Sequence, residues 1–159
     1  MKAENKIDLV AFFLRLTLGS IMFFYGLQKG LGLFGGLGLP ATAERLTAVA
    51  GMPAEFVIFG YAAVAAELFG GIALILGLLT PLAALGILST MGVATYVNWS
   101  RVDEGASQAV LMRLFIEGTP DLASRTFYTV ALLMMALAIL ITGPGKFSLD
   151  ARLFRKKSK

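Results

Sequence analysis

The stretch AAELFGGIALILGLLTPLAAL, residues Ala65 to Leu85, decides the fold. It is apolar almost throughout and is punctuated by Thr80-Pro81. Threonine followed by proline marks a helix start: a hydroxyl can cap orphan N–H groups, and proline's missing N–H is harmless in a first turn. Thr80 is therefore expected to cap a new helix with Pro81 at its first helical position. Two long apolar helices meeting there with almost no loop make a tight antiparallel hairpin.

Working outward, the same character recurs along the chain. A hydrocarbon core of about 30 Å takes about 20 apolar residues in a helix. Four windows of that kind occur, at approximately 9–28, 54–79, 81–99 and 120–142, the last opening on a second Thr-Pro step, Thr119-Pro120. With 57% hydrophobic and 15% charged residues and a mean hydropathy of +0.79, the 159-residue chain is far from an ordinary soluble domain. The expected architecture is all-α, a transmembrane four-helix bundle forming a single membrane domain over 1–159. The first span follows a charged leader, but its apolar region exceeds the about 7–15 residues of a signal peptide and no small-residue cleavage site follows closely. It is read as retained.

Four spans place both termini on one side. That side carries eight basic residues against three acidic ones, whereas segments 28–55 and 100–126 on the other side carry five against six. Positive flanks face the cytoplasm, so both termini are expected there. The basic tail, 146–159, reads as a positive-inside anchor beside anionic lipid, not as a nucleic-acid site. Both outer segments hold more than loop. GLGLFGGLGLP (Gly30 to Pro40) is glycine-rich yet apolar, unlike a solvated linker. It lacks the preceding strand and G-K-[ST] ending of a phosphate loop. ATAERLTAVA (Ala41 to Ala50) fits a short helix, and SQAVLMRLFIEG places Val110, Leu111, Leu114 and Phe115 at the spacing of an interfacial amphipathic helix.

The sequence has no histidine and no cysteine. Thiol redox chemistry, a Ser-His-Asp arrangement and the usual ligands of haem iron or zinc are thereby excluded. No metal site is expected. A cofactor, if one binds, is held by packing, hydrogen bonds, or an Arg, Lys or Glu.

Glu67 then stands out. It lies near the middle of the second span, where a charged residue costs about 2.5–3.5 kcal/mol on insertion scales, so it must face the bundle interior. Gly60, Ala63, Gly70 and Gly71 share its helical face, and small residues let a second helix approach closely. The favoured partner is Arg15, about two turns into the first span, at a height differing by ~9 Å. Lys29 is the second candidate, although it can snorkel outward. Such a pair either fixes helix register or marks a ligand or proton site. In the third span Ser89, Gly92 and Tyr96 share one face, the candidate lining of a pocket with Glu67.

RLTLGSIMFFYGLQKG (Arg15 to Gly30), AAELFGGIALILGLLTPLAAL and GPGKFSLD (Gly143 to Asp150), in that order across four spans, resemble the DoxX family of small bacterial membrane proteins. The resemblance covers nearly the whole chain. It maps the family pattern onto Arg15, Gly26, Lys29, Glu67, Gly70, Gly71, Gly143, Pro144, Gly145, Ser148 and Asp150. It implies a four-helix bundle in the bacterial inner membrane and a loose association with membrane redox metabolism, in some relatives as a subunit of a thiosulfate:quinone oxidoreductase. Family members commonly carry histidine where this chain has Tyr25, and another after the third span, where this chain reads YVNWSR. Those departures count against a histidine-dependent activity. Locally, Gly143 is expected to end the fourth helix, Pro144 to prevent its continuation, and Ser148 to cap a short helix.

Three functional readings follow. The preferred one is a redox-linked accessory subunit that binds a quinone or similar lipophilic molecule near Glu67, with Arg15, Lys29 or Tyr25 bonding its carbonyls. The alternative is a non-catalytic anchor or assembly factor for a soluble partner. A small-molecule transporter ranks last, because four spans enclose little space without oligomerisation. Gly26-x-x-x-Gly30 permits close helix contact and a homo-oligomer.

Overall fold

The structure is a computed structural model and describes residues 3–100 and 122–153. The described chain forms α1 (Ala3–Leu31), α2 (Leu39–Val49), α3 (Val57–Leu76), α4 (Thr80–Trp99), α5 (Leu122–Thr142) and α6 (Leu149–Leu153), with 3-10 turns at Leu33–Gly35 and Ala54–Phe56. Among the described residues there is no strand. Helices α1, α3, α4 and α5 are long and apolar enough to cross a membrane. The expected amphipathic helix around Val110 to Phe115 and the Thr119-Pro120 step lie outside the described residues.

The four long helices run up and down in turn and close a ring, α1 against α3, α3 against α4, α4 against α5, and α5 more narrowly against α1. Leu18, Met22, Leu74, Ala84, Ile87, Met91, Leu132, Ala136 and Ile139 fill its centre. A hydrogen bond from Thr95 to Thr129 (3.1 Å) ties α4 to α5. The start of α1, the α3–α4 turn and the segment after α5 gather at one end, here the terminal end. Residues 32–56 lie at the other, the loop end.

Glycine sets how closely α1 and α3 cross. A Cβ on Gly26 would collide with the Leu68 backbone, and one on Gly71 would lie 2.5 Å from the Phe23 nitrogen. Gly70 instead faces Ile87 of α4, and Gly60 seats Ala43 of α2. Small residues around Glu67 thus admit three different helices rather than one.

The α3–α4 turn corrects the expected cap. Gly77 (φ 66°) ends α3, with Leu78 N–H donating to Ala73 O (2.9 Å) in a left-handed C-terminal motif. The Thr80 hydroxyl is buried without a hydrogen-bond partner. The cap comes instead from Asp150, whose carboxylate accepts from Leu79 N–H and Thr80 N–H, each at 2.8 Å. A carboxylate satisfies two orphan donors and complements the positive end of the helix, which one hydroxyl cannot do.

Candidate functional site

Two polar assemblies interrupt the apolar bundle. At the terminal end, Gly143 (φ 75°) stops α5, and Gly145 (φ 68°) turns the chain against Asp8 and Ala11 of α1. Ser148 accepts a hydrogen bond from Ala151 N–H (3.0 Å) and so caps α6, while donating to Gly145 O (2.7 Å). Arg15, 1% exposed, reaches across this turn: Nη2 donates to Phe147 O (2.8 Å) and Nη1 to Leu74 O (3.3 Å). Asp150 N–H donates to Gly77 O (2.9 Å), and Lys146 pairs with Asp8 (2.9 Å). Gly77 has no alternative residue here, since a Cβ would overlap Arg15 Nη1. The result is a clasp in which 145–150 holds α1, α3 and α4 together.

The second assembly lies within the bundle. Glu67 is 3% exposed and accepts from Lys29 Nζ on both carboxylate oxygens, each at 2.7 Å. Lys29, in the last turn of α1, directs its ammonium inward, 5.6 Å from the centroid of the Tyr25 ring. A cation over an aromatic face is attracted by the ring quadrupole, so Glu67, Lys29 and Tyr25 form a continuous polar row. The expected Arg15–Glu67 pair does not form. Arg15 is drawn to the carbonyls at the terminal end, and Lys29 supplies the charge that Glu67 requires.

Tyr25 also borders a groove of ≈ 520 Å³ between α1 and α5, lined by Ser20, Ile21, Phe24, Tyr25, Gln28 and Tyr128. Tyr128, from α5, approaches Tyr25 with ring centroids 6.3 Å apart. The lining carries two phenols, an amide and a hydroxyl but no ionised side chain. Such a surface offers hydrogen-bond donors to a neutral acceptor and little to an anion. Tyr128 does not stand out in the sequence, where it is one polar-tipped aromatic between Thr126 and Thr129 near the start of its span.

The pocket expected from α4 is absent from its expected place. Ser89 is exposed and returns its hydroxyl to Leu85 O (2.9 Å), and Tyr96 is 73% exposed. Both face outward, away from Glu67. The loop end of the groove is edged by the glycine-rich segment instead. Phe34 stacks on Phe24 with centroids 4.6 Å apart, although its own backbone is left-handed (φ 54°). Gly36 sits against the Gln28 carbonyl so closely that a Cβ would overlap it. A left-handed non-glycine residue costs about 1–2 kcal/mol, and an aromatic pair contributes about 0.5–1.5 kcal/mol. The two nearly cancel.

Four apolar helices with buried charges between them define a multi-pass integral membrane protein. Within that class, the model of the DoxX family matches residues 10–99, more than half of the chain, and the protein belongs to that family. No curated protein and no solved structure matches it.

Proposed function

We propose that the protein is a redox-linked accessory subunit of the bacterial inner membrane that holds a quinone or similar lipophilic molecule in the α1–α5 groove. Both termini face the cytoplasm in this reading, following the charge bias of the flanks. The observation that carries it is the contact of Tyr25 with Tyr128 on the wall of the groove, where Tyr25 also meets the Lys29–Glu67 row. A quinone ring needs flat apolar walls and neutral donors for its carbonyls. Phe24 and Ile21 supply the former, and Tyr25, Tyr128 and Gln28 the latter. Lacking cysteine and histidine, the chain leaves electron transfer to a membrane or soluble redox partner. Arg15 has no part in this site, being held at the clasp.

Mass spectrometry of lipophilic molecules retained after mild purification tests the reading. A quinone near stoichiometric amount in the wild type, reduced at least severalfold in a Tyr25→Phe/Tyr128→Phe variant that remains folded, is the expected result. Equal retention of bulk phospholipid alone by both proteins refutes it. A second reading, a non-catalytic anchor, is favoured by one observation: Arg15 and Glu67 both spend their charges on partners within the protein. In that case crosslinking captures a soluble partner and no quinone is enriched.

A further inference from the structure

We infer that residues 32–38 are a lid whose closure onto Phe24 controls entry to the α1–α5 groove from the bilayer. This rests on the groove being the ligand site proposed above.

Four features converge on that segment. First, it touches two residues that line the groove, Phe24 through the Phe34 ring and Gln28 through Gly36. Secondly, Gly32, Gly35 and Gly38 all hold left-handed backbone (φ 70°, 79° and 78°), so the lid is bounded and bisected by residues that rotate at little steric cost. Thirdly, Gly35 and Gly38 have open space where a Cβ would stand, so no side-chain packing holds these hinges, and the backbone bonds there are few: Gly36 N–H to Leu33 O and Thr42 N–H to Gly38 O, each at 3.0 Å. Finally, Phe34 is left-handed without being glycine, and the Phe24 stack that offsets this strain joins two exposed rings, at 47% and 65%. Rings this exposed are held together by little more than the stack itself. The stacked and released arrangements are therefore close in free energy, and a ligand that leans on Phe24 shifts the balance between them.

With Phe34 stacked, Phe24 is fixed as a wall of the groove. Released, the Phe24 ring is free to change rotamer and the loop end of the groove widens. Ligand then enters sideways from lipid, and the lid governs its rate of exchange more than its final affinity.

Fluorine NMR of protein in lipid nanodiscs, carrying a fluorinated phenylalanine at position 34 alone, tests this. Two lines are expected, with populations within about tenfold of each other, since backbone strain and ring stacking nearly cancel. Phe24→Leu should remove the stacked line, and a short-chain benzoquinone should enrich it. The Phe34→Gly variant, which removes both ring and strain, should exchange that benzoquinone at least several times faster than the wild type. A single line indifferent to Phe24→Leu overturns the lid, as does unchanged exchange in Phe34→Gly. Failure of the benzoquinone to bind the wild type refutes the functional reading instead, and the Phe24→Leu arm then judges the lid alone.

Discussion

Glu67 and Lys29 are unequal partners. Glu67 is 3% exposed and confined to mid-helix, whereas the Lys29 side chain is 27% exposed and ends near the margin of its span. Removing the amine strands a carboxylate where ionisation costs about 3 kcal/mol. Removing the carboxylate leaves an amine that can turn toward the headgroups. Thermal unfolding in detergent should accordingly show Lys29→Met losing about 3 kcal/mol and Glu67→Gln only about 1 kcal/mol. Equal losses would mean that Lys29 is as trapped as Glu67. The same inequality explains why the sequence pointed to Arg15. Height along a helix made Arg15 and Glu67 compatible, and snorkelling made Lys29 look dispensable. Neither consideration registers the carbonyls of Leu74 and Phe147, which outcompete Glu67 for the guanidinium. The second of these comes from a segment 132 residues away.

At the scale of elements, the glycines divide by what they meet. Gly26 faces backbone of α3, so Gly26→Ala must push two helices apart and should cost about 1–3 kcal/mol. Gly86 faces only the Ala66 methyl, 3.5 Å from its would-be Cβ, and Gly86→Ala should stabilise by about 0.5–1 kcal/mol through helix propensity. Melting curves of the two variants side by side check both signs. The long helices were legible because length and hydropathy suffice to identify a span. The faces of α4 were not: its apolar residues surround the helix, and Ser89 satisfies its own hydroxyl within the helix, so polar spacing carried no direction. The groove escaped for a related reason, since it needs Tyr128 of α5 beside Tyr25 of α1, and nothing local records which spans are neighbours.

For the whole molecule, polarity is split between the two ends of one ring of helices. The terminal end is closed by side chains bonded to main chain and tolerates little change. Toward the loop end lie the groove and its lid, with the buried Lys29–Glu67 pair between them and the bundle centre, whereas the Lys146–Asp8 pair belongs to the clasp. Asp150→Ala should expose this division. It uncaps α4 and loosens 145–150 from α1 and α3, with an expected loss of about 1–2 kcal/mol from the cap alone. Proteolysis at the terminal end should rise in that variant while quinone retention, if the groove is intact, stays near the wild-type level. A parallel loss of retention would show that the two ends are mechanically joined.

The cap that α4 borrows from Asp150 also has a consequence for biosynthesis. Translation delivers Leu79 71 residues before the carboxylate that receives its N–H. Until residue 150 emerges, the inserted α3–α4 hairpin carries unsatisfied donors at its turn, and Arg15 lacks the Phe147 carbonyl. A segment made only after all four spans is therefore the one that certifies the first three. A product terminated early would remain marked as incomplete by the same open contacts that a membrane protease could recognise.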